Sequence, residues 1–158
     1  MIKQRRMRDS QRAKVYASEK YTHTLPQLKD WDEMVAYHED ITRQRRREIA
    51  KRFGIDRLAL SGIRFRRNAR GYISTGSRHG IQMSPTAQTC RRVYLHELAH
   101  AITEIVYNGY TEVSWHGPEF CGILCELVKI EHGFDASLEL FRNFRRGGVK
   151  VKAWTKKS

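Results

Sequence analysis

At 158 residues and 40% hydrophobic, the chain carries enough apolar material for one domain with its own core. Its 30 Lys+Arg outweigh 17 Asp+Glu to give a net charge of +13, which predicts attraction to polyanions; a merely solvated basic surface is the alternative. No apolar stretch approaches bilayer-spanning length, and the Arg- and Lys-rich start lacks the apolar run of a signal peptide, so membrane insertion and export are both excluded as expectations. Three Cys, an odd number, fit free thiols in a reducing cytoplasm.

Taken in chain order, the pattern predicts helices at both ends and strands between them. Asp9-Ser10 is placed to cap a short helix through Val15, Tyr16 and Glu19. After Pro26, the stripe Trp31, Met34, Val35, His38, Ile41 has helical spacing, resumes at Ile49 and ends near Phe53, where Gly54 can stop it. The other face carries Arg43, Arg45, Arg46, Arg47, Lys51 and Arg52. Ile63–Arg66 alternates apolar residues with Arg, as a half-exposed strand does. Asn68–Gly71 reads as a turn into Tyr72–Thr75, and Gly76–Gly80 as a turn into Ile81–Ser84, so a small antiparallel meander is expected.

Ser84-Pro85 then opens a helix containing Val93, Leu95, Leu98, Ala99, Ile102, Ile105 and Val106, buried on much of its surface and closed by Asn108-Gly109. A second helix starts at Gly117-Pro118 and carries Phe120, Ile123, Leu124, Leu127 and Val128. Cys121 and Cys125 share a face of it, where they read as small buried hydrophobes rather than metal ligands. A third helix, capped by Asp135, carries Leu138, Phe141 and Phe144, and a basic tail runs from Gly147. The whole reads as one α+β domain, residues 1–158: N-terminal helices over about 9–53, a core over about 61–130, and a C-terminal helix and tail over about 135–158.

The chemistry is concentrated in His96-Glu97-Leu98-Ala99-His100. Residues four apart on a helix lie one turn apart on one face, so both imidazoles can reach one zinc ion. Glu97, next to the first ligand, can act on the ion's water as general base rather than binding the ion. The reaction this arrangement suits is metal-assisted hydrolysis. Two His leave a catalytic zinc one protein ligand short. Thr103 stands where the metzincin pattern has Gly. The next candidates are His116, at a loop–helix junction from which it can reach back, and Glu119, whose position suits a Glu-ligated peptidase. His116 is favoured; its alternative reading is a surface-loop His.

His96-Glu97-Leu98-Ala99-His100 followed by His116-Gly117-Pro118-Glu119-Phe120-Cys121 resembles the core of the Spartan/SprT-like metalloproteases over roughly Ser61 to Ile130. In that family a third His in an HGPxF-type motif follows the HExxH helix, so the resemblance implies His116 as ligand. It also implies a zincin-like core and, as the best-known members have it, cleavage of proteins crosslinked to DNA. Arg8-Asp9-Ser10-Gln11-Arg12 with Val15-Tyr16 is similar to a family of short bacterial and phage metallohydrolase-like proteins. One departure stands out. Spartan-like proteins often carry a Cys-rich zinc module after the core, and no Cys follows Cys125, so DNA recruitment by that route is not expected. Any DNA contact would fall to the Arg-bearing helix over 42–52, the Arg64/Arg66 strand face and the Lys150–Lys157 tail, non-specifically. Tyr72, Trp115 and Trp154 could stack on bases, although packing is the commoner use of such residues.

The resulting expectation is a zincin-like α+β domain whose small antiparallel sheet packs on the HExxH helix. One zinc is held by His96, His100 and His116, with Glu97 catalytic and protein or peptide as substrate. Two other readings remain open here: a nucleic-acid-binding protein with a structural zinc, and a regulatory zinc peptidase using Glu119. A coordination position left open by the protein separates a catalytic from a structural site.

Overall fold

The apolar periodicities become seven α-helices and one three-stranded sheet among the described residues, 9–22, 26–69, 71 and 73–155 of a computed structural model, which makes the chain mixed α+β. Arg8, Arg70, Tyr72, Lys156 and Lys157, which belong to the motifs above, lie outside the described residues. The chain divides into two compact units: Pro26–Val106, and the described residues up to Thr22 together with Tyr107–Thr155.

In the unit Pro26–Val106, helix α2 spans Trp31–Glu39, and the Asp30 side chain caps it by accepting from the Glu33 amide at 2.9 Å. The expected continuous helix to Phe53 is broken by a π-helical turn, Asp40–Gln44, before α3 (Arg46–Phe53). The Arg45 amide reaches the Asp40 carbonyl, five residues back, and the Arg45 side chain returns to the Asp40 carboxylate at 2.6 Å. The widened turn lets Ile41 and Thr42, then Ile49 and Ala50, all face inward. Gly54 ends α3 in the left-handed conformation expected of it (φ 64°). A short helix α4, Arg57–Ser61, follows, capped by Asp56.

The sheet differs from the expected meander. Its strands are β1 (Arg64–Arg67), β2 (Thr75–Ser77) and β3 (Gly80–Met83), in the order β1-β3-β2. β2 and β3 form an antiparallel hairpin, but β1 runs parallel to β3. The turn at Asn68 does form, with its side chain accepting from the Gly71 amide at 3.1 Å, yet it does not return the chain along β1. β3 carries the fully buried pair Ile81 and Met83, and the most apolar strand takes the centre, leaving Arg-rich β1 and Thr-Gly-Ser β2 as edges. β2 and β3 pack on α5, Arg91–Val106. Ser84-Pro85 opens only a single 3₁₀ turn, Pro85–Ala87, and α5 begins six residues after that proline.

An aromatic cluster joins α2, β1 and α5. Phe65 stacks on Trp31 and His38, with ring centroids at 4.8 and 4.7 Å, and meets Tyr94 edge-on. His38 Nε2 donates to the Ile63 carbonyl at 3.0 Å, and Nδ1 then accepts from the Tyr94 hydroxyl at 2.8 Å. His38 is therefore structural and neutral.

In the other unit, α1 (Arg12–Ser18) and α6 (Pro118–His132) both pack with α7 (Phe134–Arg146) or its neighbours around Val15, Phe120, Leu124, Leu140 and Phe144. Gly133, at φ 95°, ends α6 and caps α7, so Asp135 sits in the first turn of α7 instead of capping it. The segment after α7 is held on α6: the Lys152 amide donates to the Pro118 carbonyl at 2.9 Å, and a Cβ on Gly122 would strike the Lys152 carbonyl.

Burial lowers the His38 pKa from 6.5 to about 4. The unfolded chain takes up this proton near pH 6.5 and the folded chain only near 4. The stability contributed by neutral His38 is thus present above about pH 6.5 and lost as pH falls towards 4, by at most roughly 3 kcal/mol. Urea denaturation of the metal-free protein should show a steeper loss over this window than in His38→Phe; parallel pH profiles would contradict the assignment.

Candidate metal centre

Helix α5 has a run of buried residues from Tyr94 to Thr103, so its His-Glu-x-x-His segment sits in the most enclosed part of the helix. His96 and His100 lie one turn apart, with ring centroids at 4.9 Å and planes at 72°. The helix is approached closely by β2: a Cβ on Gly76 would fall onto the Glu97 carbonyl, so glycine alone permits this packing without a shift of backbone. The hairpin that carries Gly76 is also tied to the last turn of α5, where the Arg78 amide donates to the Glu104 carboxylate at 2.8 Å and its guanidinium to the Glu104 carbonyl at 3.0 Å.

His116 comes just before α6, in a turn whose geometry is set by Gly117 as N-cap and Pro118 at the first helical position. Residues around the start of α1 hold it. The carboxylate of Asp9 accepts from the His116 amide at 3.2 Å and from ring Nδ1 at 2.7 Å. The Gln11 side-chain amide donates to the His116 carbonyl at 2.9 Å and, with its oxygen, also ties down Lys150. The ring is flanked by Tyr16 and Phe120, at 5.1 and 5.2 Å. Asp9 was expected to cap α1; in fact Gln11 occupies the N-cap position and makes no side-chain cap bond. Because a carboxylate can only accept, Nδ1 of His116 carries the hydrogen, and Nε2 is the nitrogen that can be offered to a cation.

The ligand nitrogens of His96, His100 and His116 all lie within 4.8 Å of one another. The three residues are 4%, 5% and 3% exposed, and Glu97 is 6% exposed. This buried cluster could hold a metal ion. Glu119, the rival third ligand, is half-buried in the first turn of α6 and is not part of the group. Cys121 and Cys125 are buried free thiols; burial above all, with nearby carboxylates adding to it, pushes both pKa values well above the ordinary range. They therefore stay protonated at neutral pH and are poor ligands, in keeping with their reading as small apolar side chains.

Asp9 and Gln11 escaped the sequence reading. Asp9 lies 107 residues from its partner, and an Asp just upstream of a helix looks like a cap; no spacing rule links it to a distant imidazole. No protein-family model, curated protein or solved structure matches the chain, so the chemistry of the cluster has to be read from its own residues.

A hydrogen bond from a ligand's second nitrogen to a carboxylate fixes its tautomer and orientation, and its loss typically weakens metal affinity by about 10- to 100-fold. Asp9→Ala should produce a loss of that size, measured by competition with a chromophoric zinc chelator. Glu119→Ala should leave the affinity nearly unchanged, and the opposite ranking would move the third ligand to Glu119.

Proposed function

We propose that the protein is a zinc-dependent metallohydrolase of the peptidase type, with a zincin-like core related to that of the Spartan/SprT-like enzymes. The observation that carries this reading is the buried three-His cluster on an HExxH helix. Three imidazoles, one of them backed by a carboxylate, suit a borderline cation such as zinc. The ligand nitrogens of the three imidazoles converge closely enough to share one cation. The group contains three protein ligands among the described residues, the number typical of catalytic sites, where structural zinc is usually closed by four. That favours an enzyme over a binding protein with a structural zinc.

His96, His100 and His116 would hold the ion, which supplies Lewis-acid polarisation of a carbonyl and of a water molecule. Glu97 takes the proton from the attacking water and passes it to the departing amine nitrogen. Its burial keeps the carboxylate out of bulk solvent, where the proton would otherwise exchange. Asp9 keeps the hydrogen of His116 on Nδ1, and the close contact of Gly76 with α5 fixes the height of β2 over Glu97. Protein is the proposed substrate. DNA is a proposed partner held through basic surfaces, since the Spartan-like reading and the net charge of +13 point the same way.

Glu97→Gln preserves size and hydrogen bonding but cannot accept a proton at neutral pH. It should retain about one zinc per chain by elemental analysis while losing casein hydrolysis by at least about 100-fold, the lower range for general-base catalysis. Full activity in Glu97→Gln would sink the mechanism. Absence of zinc from wild-type protein purified without chelators and refilled with zinc would sink the site itself.

A further inference from the structure

The sheet has a second face, away from α5. The strand register places Arg64, Gly80 and Ser77 in one row across it and Arg66, Gln82 and Thr75 in the next. Ile81 and Met83 point into the core, which sends Gly80 and Gln82 to the opposite side. Phe65 is in the aromatic cluster with His38 and Tyr94, which likewise turns Arg64 and Arg66 outward. The result is a groove of about 270 Å³ lined by Arg64, Arg66, Thr75, Ser77, His79 and Gln82.

Three features make it an anion site. Among the described residues no acidic side chain lines the groove, although two guanidiniums and an imidazole do. Gly80 sits in the central strand between Arg64 and Ser77 and lines the groove, and having no side chain it lets the Arg64 backbone pack close, its carbonyl 3.2 Å from where a Cβ would lie. Gln82 steadies one of the cations: with its amide oxygen turned towards Arg66, it accepts from Nε at 3.0 Å and also from Nη2. A guanidinium held in this way keeps its remaining N–H groups in a fixed fork, the geometry that matches phosphate oxygens. The hydroxyl of Thr75 on the opposite edge adds a neutral donor. The groove is smaller than the roughly 300–1,000 Å³ of pockets that enclose whole drug-sized ligands. It therefore fits one ionic group, with the rest of the ligand outside.

We infer that this outer sheet face is a phosphate-binding site, seated on Arg64 and Arg66 over Gly80, and that it takes a phosphate group from a larger or repeating phosphate ligand. The site is independent of the metal centre. Its chemistry is shared by a phosphodiester strand and by a small polyphosphate, and the two sources are separable by experiment.

The test uses ¹⁵N-labelled zinc-loaded protein titrated in low salt with inorganic pyrophosphate and, separately, with single-stranded oligothymidylate. Amide shifts of Thr75, Ser77, Gly80 and Gln82 are followed in wild type. Anisotropy of a fluorescein-labelled oligonucleotide is measured in Arg64→Gln/Arg66→Gln and in the control Arg142→Gln/Arg146→Gln, which removes the same charge from exposed positions on α7. If both ligands move the groove amides and the groove variant alone loses affinity by about tenfold or more, the site takes strand phosphates. Its salt slope should then fall by about 0.7, the contribution of one phosphate on a single strand. Pyrophosphate shifts without oligonucleotide shifts assign it to a small phosphate ligand. The inference is overturned if neither ligand moves the groove amides. It is equally overturned if the groove and control variants lose affinity to the same extent, which is the signature of net charge alone.

Discussion

The candidate site depends on the convergence of three imidazoles nearly excluded from solvent, their ligand nitrogens within 4.8 Å of one another. The local structure is built to keep them so. On α5 the helical repeat delivers two of the three at no cost beyond folding the helix, and the surrounding run of buried residues fixes which face points inward. The third, at the start of α6, has no such periodicity to rely on. It is held instead through its amide, its carbonyl and its ring, by Asp9 and Gln11.

The two supports differ in kind. Around α5 the control is steric, since Gly76 lets β2 approach to a distance that no other residue allows, and Arg78 anchors the hairpin tip to Glu104. Around His116 the control is polar. A carboxylate that accepts from both the amide and Nδ1 determines the tautomer as well as the ring position. Such an arrangement would serve a structural site as well as a catalytic one. The groove on the outer sheet face uses yet another device, a central glycine between side chains that the strand register turns outward.

Much of the candidate site was legible in the sequence because its determinants are local. His96, Glu97 and His100 are fixed by helix periodicity, and His116-Gly117-Pro118 by the chemistry of a helix start. Helix ends at Gly54 and Asn108-Gly109 were legible for the same reason: left-handed backbone selects those residues, and Gly54, Asn108 and Gly109 all have positive φ. What escaped was non-local. The order β1-β3-β2 follows from which strand is most apolar, Ile81 and Met83 taking the centre, and a reading of successive turns assumes neighbours in sequence pair in space. The π-helical turn at Asp40–Gln44 is a one-residue adjustment inside a pattern that looked continuous. Asp9 and Gln11 sat in a recognisable motif, yet their partner His116 could not be inferred from it.

The central claim is that His96, His100 and His116 bind one zinc and leave a position for a non-protein ligand. Zinc K-edge X-ray absorption on the stoichiometrically loaded protein tests it directly. The account requires about four light-atom neighbours near 2.0–2.1 Å, with outer-shell scattering from three imidazoles and no sulfur. Removing His116 by substitution should reduce the imidazole count to two. A spectrum with a sulfur neighbour near 2.3 Å, or with imidazole scattering unchanged in His116→Ala, would contradict the account.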